Sequence, residues 1–120
     1  MKLNIKNETG RLKSVVLGQP KSIGPVPTLE ESYDAKSYYS IENGIYPKEE
    51  DIIAEMTAFE KVLKKYDVEV FRPNIIKDYN QVFARDVAFV IEDKMIISNV
   101  IKDRADEQEA YRKIFEKVEW

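Results

Sequence analysis

The chain has 120 residues, 43% of them hydrophobic and 34% charged, which is enough apolar material for one small domain with its own core. Its 19 basic and 22 acidic residues are interspersed and give a formal net charge of −3; no basic stripe marks a nucleic-acid partner, and no apolar run reads as a membrane span or a secretory signal, so a cytoplasmic location is expected. Cysteine and histidine are both absent, which excludes disulfides, thiolate metal sites, a cysteine nucleophile and the commonest general base within these residues.

From the amino terminus, Leu12 to Gly18 reads as a strand: Leu12, Ser14 and Val16 face one way, Lys13, Val15 and Leu17 the other. Gly18-Gln19-Pro20 ends it. From Gln19 to Pro47 periodicity is lost. Pro20, Gly24, Pro25, Pro27, Gly44 and Pro47 mark a long irregular loop that carries Tyr33, Tyr38, Tyr39 and Tyr46. A loop of this length is either functional or a loose surface excursion, and sequence alone does not choose.

A helix is predicted from about Lys48 to Tyr66, with Ile52, Met56, Phe59, Leu63 and Tyr66 on one core-facing stripe. Its acidic start, Glu49-Glu50-Asp51, and its basic end, Lys64-Lys65, both suit the helix dipole. Val68 to Phe71 is a short strand closed by Arg72-Pro73. After a turn at Lys77-Asp78, Val82 to Ile91 and Met95 to Val100 read as two strands of a hairpin joined by Glu92-Asp93-Lys94. A second helix is predicted from Asp103, a fitting N-cap with Asp106 three residues on, and Tyr111, Ile114, Phe115 and Val118 form its inner stripe. The order gives an α/β domain over residues 1–120 with mixed strand pairing. The acidic residues Asp103, Asp106, Glu107 and Glu109 cluster at a helix start, which speaks for capping and solvation and not for a metal site. No glycine-rich phosphate loop is present.

Asn80-Gln81-Val82-Phe83-Ala84-Arg85-Asp86 is the informative segment. On a strand, Val82, Ala84, Asp86, Ala88 and Val90 share a narrow apolar face with one carboxylate at its centre. An ionised Asp there is costly unless a cation or several donors meet it. A guanidinium suits it, because two parallel N–H bonds to one carboxylate supply charge and geometry together. The alternative is that Asp86 pairs with Arg85, Arg104 or another internal cation in a structural network. Arg85 points to the opposite strand face, beside Phe83 and Val87.

The same segment resembles the Asn-x-x-Phe-x-Arg-Asp signature of guanidino-modifying enzymes, a group that includes arginine deiminases and glycine amidinotransferases, with the amidinotransferases the nearer. The resemblance continues in order along the chain. Leu12 to Gly18 is similar to their first strand, Tyr46-Pro47-Lys48 and Val68 to Pro73 to the flanks of their first helix, and Val87 to Ile97 to their apolar hairpin. Arg104-Ala105-Asp106-Glu107 followed by Ala110-Tyr111-Arg112 is similar to their Arg-x-x-Glu helix start and its continuation. One departure is Tyr79, where deiminases carry Pro.

The resemblance implies an α/β-propeller (pentein) of five strand–strand–helix–strand modules, of which this chain would hold the first one to two. It implies a Cys thiolate that attacks the guanidinium carbon of an arginine-like substrate and keeps the amidino group, a His that moves protons, and carboxylates that grip the guanidinium nitrogens. An amine or water then takes the amidino group. Neither metal nor organic cofactor is implied. By motif position Asp86 is a catalytic carboxylate, and Asn80 and Arg104 are substrate-binding, with Arg104 also placed to pair structurally with Glu107. The Cys and His fall in later modules, so these residues alone are expected to form a fragment without the full chemistry. The competing expectation is a non-catalytic module that is completed by a second copy, a homodimer, because an incomplete sheet leaves strand edges open.

Overall fold

The computed structural model describes residues 1–119. Strand β1 (Ser14–Val16) pairs in parallel with β2 (Glu69–Phe71), Val15 opposite Val70, and Leu17 N–H extends the ladder to the Phe71 carbonyl at 3.0 Å. Parallel neighbours need a crossover. Helix α1 (Ala35–Glu42) and helix α2 (Glu49–Lys65) supply it. Strands β3 (Ala88–Ile91) and β4 (Lys94–Ile97) form the expected hairpin, with Phe89 opposite Ile96 and Val90 opposite Met95. Its turn is made without glycine: Glu92 adopts φ +54° and exchanges two backbone hydrogen bonds, 2.8 and 2.7 Å, with Ile5. Pairing is thus mixed, but it is divided between two separate two-stranded sheets. Helices α3 (Ala105–Ala110) and α4 (Arg112–Phe115) close the chain.

Four sequence expectations change. The 19–47 loop contains α1, which Asp34 caps by accepting the Ser37 N–H at 2.8 Å; the Ser37 hydroxyl first, and then that backbone bond, hold the Asp34 carboxyl below its ordinary value. The stripe predicted for α2 is only partly covered. Ile52, Met56 and Leu63 are half-buried, whereas Phe59 and Tyr66, with Val62 beside them, are exposed. Val82 to Ile91 is not one strand, because residues Ala84–Asp86 form a 3-10 turn, with Asp86 N–H on Phe83 and Val87 N–H on Ala84. Among the described residues no strand accepts from these two N–H groups, so they bond locally. The shared face of Val82, Ala84, Asp86, Ala88 and Val90 therefore does not form. Finally, Asp103 is no N-cap. It lies inside a 3-10 turn, Lys102–Arg104, and Arg104 stands at the start of α3 with no side-chain cap.

The core is small. Val87, Ala110, Tyr111 and Ile114 are buried together, with Val16, Phe71, Ile76, Ala84 and Phe115 against them. Tyr111 and Phe115 stack with centroids 6.1 Å apart. None of the helices is long and apolar enough to cross a membrane among the described residues.

Candidate functional site

The site is built on a polar clip. Gln81 is fully buried, and its amide accepts the Ile76 N–H at 2.8 Å and donates to the Asn74 carbonyl at 2.9 Å. Its backbone carbonyl accepts the Gln19 N–H at 2.9 Å, which moors the segment beside the end of β1. Asn80, next to it, is exposed. Its side chain accepts the Val82 N–H at 3.2 Å, and nearby Tyr46 has its pKa raised by burial, against the opposing influence of Asn80. Tyr79 donates its hydroxyl to the Asp103 carbonyl at 2.6 Å, joining this segment to the turn that carries Arg104. Burial, and then the negative charge of Glu107, raise the Tyr79 pKa.

Asp86 closes the 3-10 turn. Its Oδ2 accepts Arg104 Nη1 at 2.7 Å, while its Oδ1 lies 3.9 Å from Arg85 Nε. The Asp86 side chain is 42% exposed. Arg104 donates Nε and Nη2 to Oε2 of Glu107, at 2.9 and 2.8 Å. Glu107 is wholly buried, and burial pushes its pKa up against the opposing hydrogen bond from Arg104. Burial alone would lower the Arg104 pKa, but its bonds to Asp86 and Glu107 outweigh that and raise it. Glu107 Oε1 and the Tyr111 hydroxyl are buried without a partner among the described residues.

Of the three residues singled out from sequence, the fold brings Asp86 and Arg104 together and leaves Asn80 out of their hydrogen bonds. The pairing of Asp86 with an internal arginine is the structural alternative raised above, and it occupies one of the two carboxylate oxygens. Gln81 and the burial of Glu107 were not anticipated. The available signal for Glu107 was its position three residues after Arg104. Gln81 offered none, since a lone Gln before an apolar run carries no spacing rule. An apolar cavity of about 810 Å³ lies among Val16, Phe71, Ala88, Val90, Met95 and Ile114, and a shallower one of about 470 Å³ beside α3; neither is lined by Asp86, Asn80 or Arg104. No group of acidic residues converges as a metal site among the described residues.

No protein-family model matches the chain, and no curated protein does. Among solved structures it is similar to SxtG, an amidinotransferase from Microseira wollei in the saxitoxin biosynthetic pathway, with a TM-score of 0.66 and 21% sequence identity. The match covers 97% of this chain and 40% of that one, so the chain spans less than half the length of its structural neighbour. The likeness is one of fold: the small mixed α/β arrangement of this chain is similar to part of that amidinotransferase.

Proposed function

We propose that residues 1–120 are the amino-terminal part of an amidinotransferase-type α/β-propeller, and that Asp86 receives the guanidinium of an arginine-like substrate. The observation that carries this is the state of Asp86 itself. One of its oxygens already holds a guanidinium, that of Arg104, at 2.7 Å, and the other has only the loose Arg85 contact at 3.9 Å, on a side chain that is 42% exposed. The site therefore has the charge and the approach that a second planar cation needs. The likeness to an amidinotransferase supports the class of reaction, and the ordered sequence motifs support the propeller and the position of Asp86 within it.

In this reading the chain binds and orients, and the covalent steps belong to polypeptide beyond these residues, since no cysteine or histidine lies within them. A thiolate there would attack the guanidinium carbon, the amine half of the substrate would leave with a proton, and an amine or water would release the amidino group. One carboxylate is only part of a clamp, so arginine affinity on the order of millimolar is expected for these residues alone. The test is a titration of L-arginine into the 15N-labelled protein and its Asp86→Asn variant. A saturable shift around Asp86 that disappears in the variant is expected; equal binding by both would remove Asp86 from the guanidinium.

A second reading accounts for the exposed surface equally well. The accessible surface, 9026 Å², exceeds the roughly 6,700 Å² of a compact monomer of this mass. A non-catalytic module completed by association with another copy would cover that excess. Arginine binding at Asp86 separates the two readings.

A further inference from the structure

We propose that Glu107 is the positioning residue of the Asp86 site: it draws the fork of Arg104 onto itself, so that Asp86 keeps one oxygen for a ligand guanidinium. The inference rests on the guanidinium reading of Asp86 given above. Left to one carboxylate, an arginine prefers two parallel N–H···O bonds that cover both oxygens. Arg104 does not treat Asp86 that way. Only Nη1 reaches it, on Oδ2 at 2.7 Å, while Nε and Nη2 both turn to Oε2 of Glu107 at 2.9 and 2.8 Å.

The distribution follows from burial. Glu107 is 0% exposed and has no water to fall back on, so it needs Arg104 more than the 42% exposed Asp86 does. The single bond that remains is enough to fix the Asp86 rotamer, and it leaves Oδ1 uncommitted. Arg85 does not fill the vacancy, since a pair at 3.9 Å with an 87% exposed arginine holds little. One cation between two carboxylates also leaves the trio with a net negative charge, which an incoming guanidinium would neutralise. Without the Glu107 charge, Arg104 is free to swing into the two-bond arrangement on Asp86 and to occupy the place of the ligand.

The test uses Glu107→Gln, the double variant Glu107→Gln/Arg104→Gln and Asp86→Asn, each in the same 120-residue protein, with L-arginine as probe and a ligand-free crystal structure of Glu107→Gln. In that structure Arg104 is expected with both terminal nitrogens on Asp86. Arginine binding is expected to weaken about tenfold in Glu107→Gln, the worth of one charge-assisted hydrogen bond on a half-exposed carboxylate. It should return to the wild-type value or better in the double variant, where no resident guanidinium competes.

An Arg104 that keeps its single bond, or Glu107→Gln affinity equal to wild type, overturns the proposal. So does a double variant that stays as weak as the single, because Glu107 would then act only by holding α3 in place. If Glu107→Gln does not fold, the double variant with its neutral amide pair decides by its own affinity: a folded double variant that no longer binds overturns the proposal. Asp86→Asn binding as well as wild type would instead fail the guanidinium reading, and the ligand-free position of Arg104 would still decide what Glu107 does.

Discussion

A Cβ added at Gly18 would land on the backbone carbonyls of Gln81 and Val82, neither of which can move without breaking the clip that Gln81 makes. Gly18→Ala is therefore expected to cost about 2–4 kcal/mol, read from urea unfolding, with the loss appearing as a shifted midpoint at unchanged slope. Gln81→Leu tests the same joint from the other side. It preserves bulk but leaves the Ile76 N–H and the Asn74 carbonyl without their partner, a loss of about 2–3 kcal/mol by the same measurement. A loss under about 0.5 kcal/mol would mean that water replaces the amide and that the clip does not hold the site. Sequence could name Gly18 as the end of a strand but not as a contact point, because the carbonyls it meets lie more than sixty residues away along the chain. Asp86 and Arg104 were each legible as charged residues in unusual company. That they meet follows from the two 3-10 turns, and short turns of this kind leave no periodic trace in a sequence.

Periodicity carried α2, β2 and the β3–β4 hairpin, since each is long or apolar enough to show its own repeat. It failed from Val82 to Val87, where the alternation of apolar residues is real but no neighbouring strand uses it. Helix α2 is fastened by a charged junction that periodicity could not reveal. Glu60 accepts Lys64 at 2.8 Å and Arg72 at 2.6 Å, and Arg72 also donates to the Gly18 carbonyl, so the helix, β2 and the end of β1 share one arginine. The hydrogen bond from Lys64, and then that from Arg72, hold the Glu60 carboxyl below its ordinary 4.5. A lowered carboxylate contributes stability above its unfolded pKa and loses it as pH falls through the folded value. The stability gap between wild type and Glu60→Gln is thus expected at neutral pH and should close in acid, as followed by thermal unfolding across about pH 6 to 3. A gap that stays constant with pH would assign the effect to packing. Glu107 works in the opposite sense. Burial raises its pKa, so its share is present in acid, below the ordinary glutamate value, and declines as pH rises through the raised one.

Size and shape argue that these residues leave core-like surface uncovered. The radius of gyration is 15.7 Å, against about 14 Å for a compact domain of this length, and the accessible surface exceeds that of a compact monomer by more than a standard interface needs on one side. Two places carry the excess. On α2, Phe59, Val62 and Tyr66 continue the half-buried stripe onto an exposed flank. On the hairpin, the cross-strand partners Phe89 and Ile96, with Ile91 on the same face, are exposed, while Ala88, Val90 and Met95 on the other face line the apolar cavity, whose rim Phe89 also reaches. A two-stranded ribbon that is apolar on both faces is built to be covered on both. What covers it is further polypeptide of the propeller in the first reading and a second copy in the other, and in either case the isolated chain should associate. Sedimentation velocity is expected to show its average mass rising with concentration. Phe89→Lys/Ile96→Lys should hold the protein monomeric without loss of far-ultraviolet circular dichroism, because neither side chain belongs to the buried core. A wild-type chain that remains monomeric at the highest concentrations it tolerates would show that this face is stable in water. The apolar pattern of the hairpin would then need another explanation than a missing neighbour.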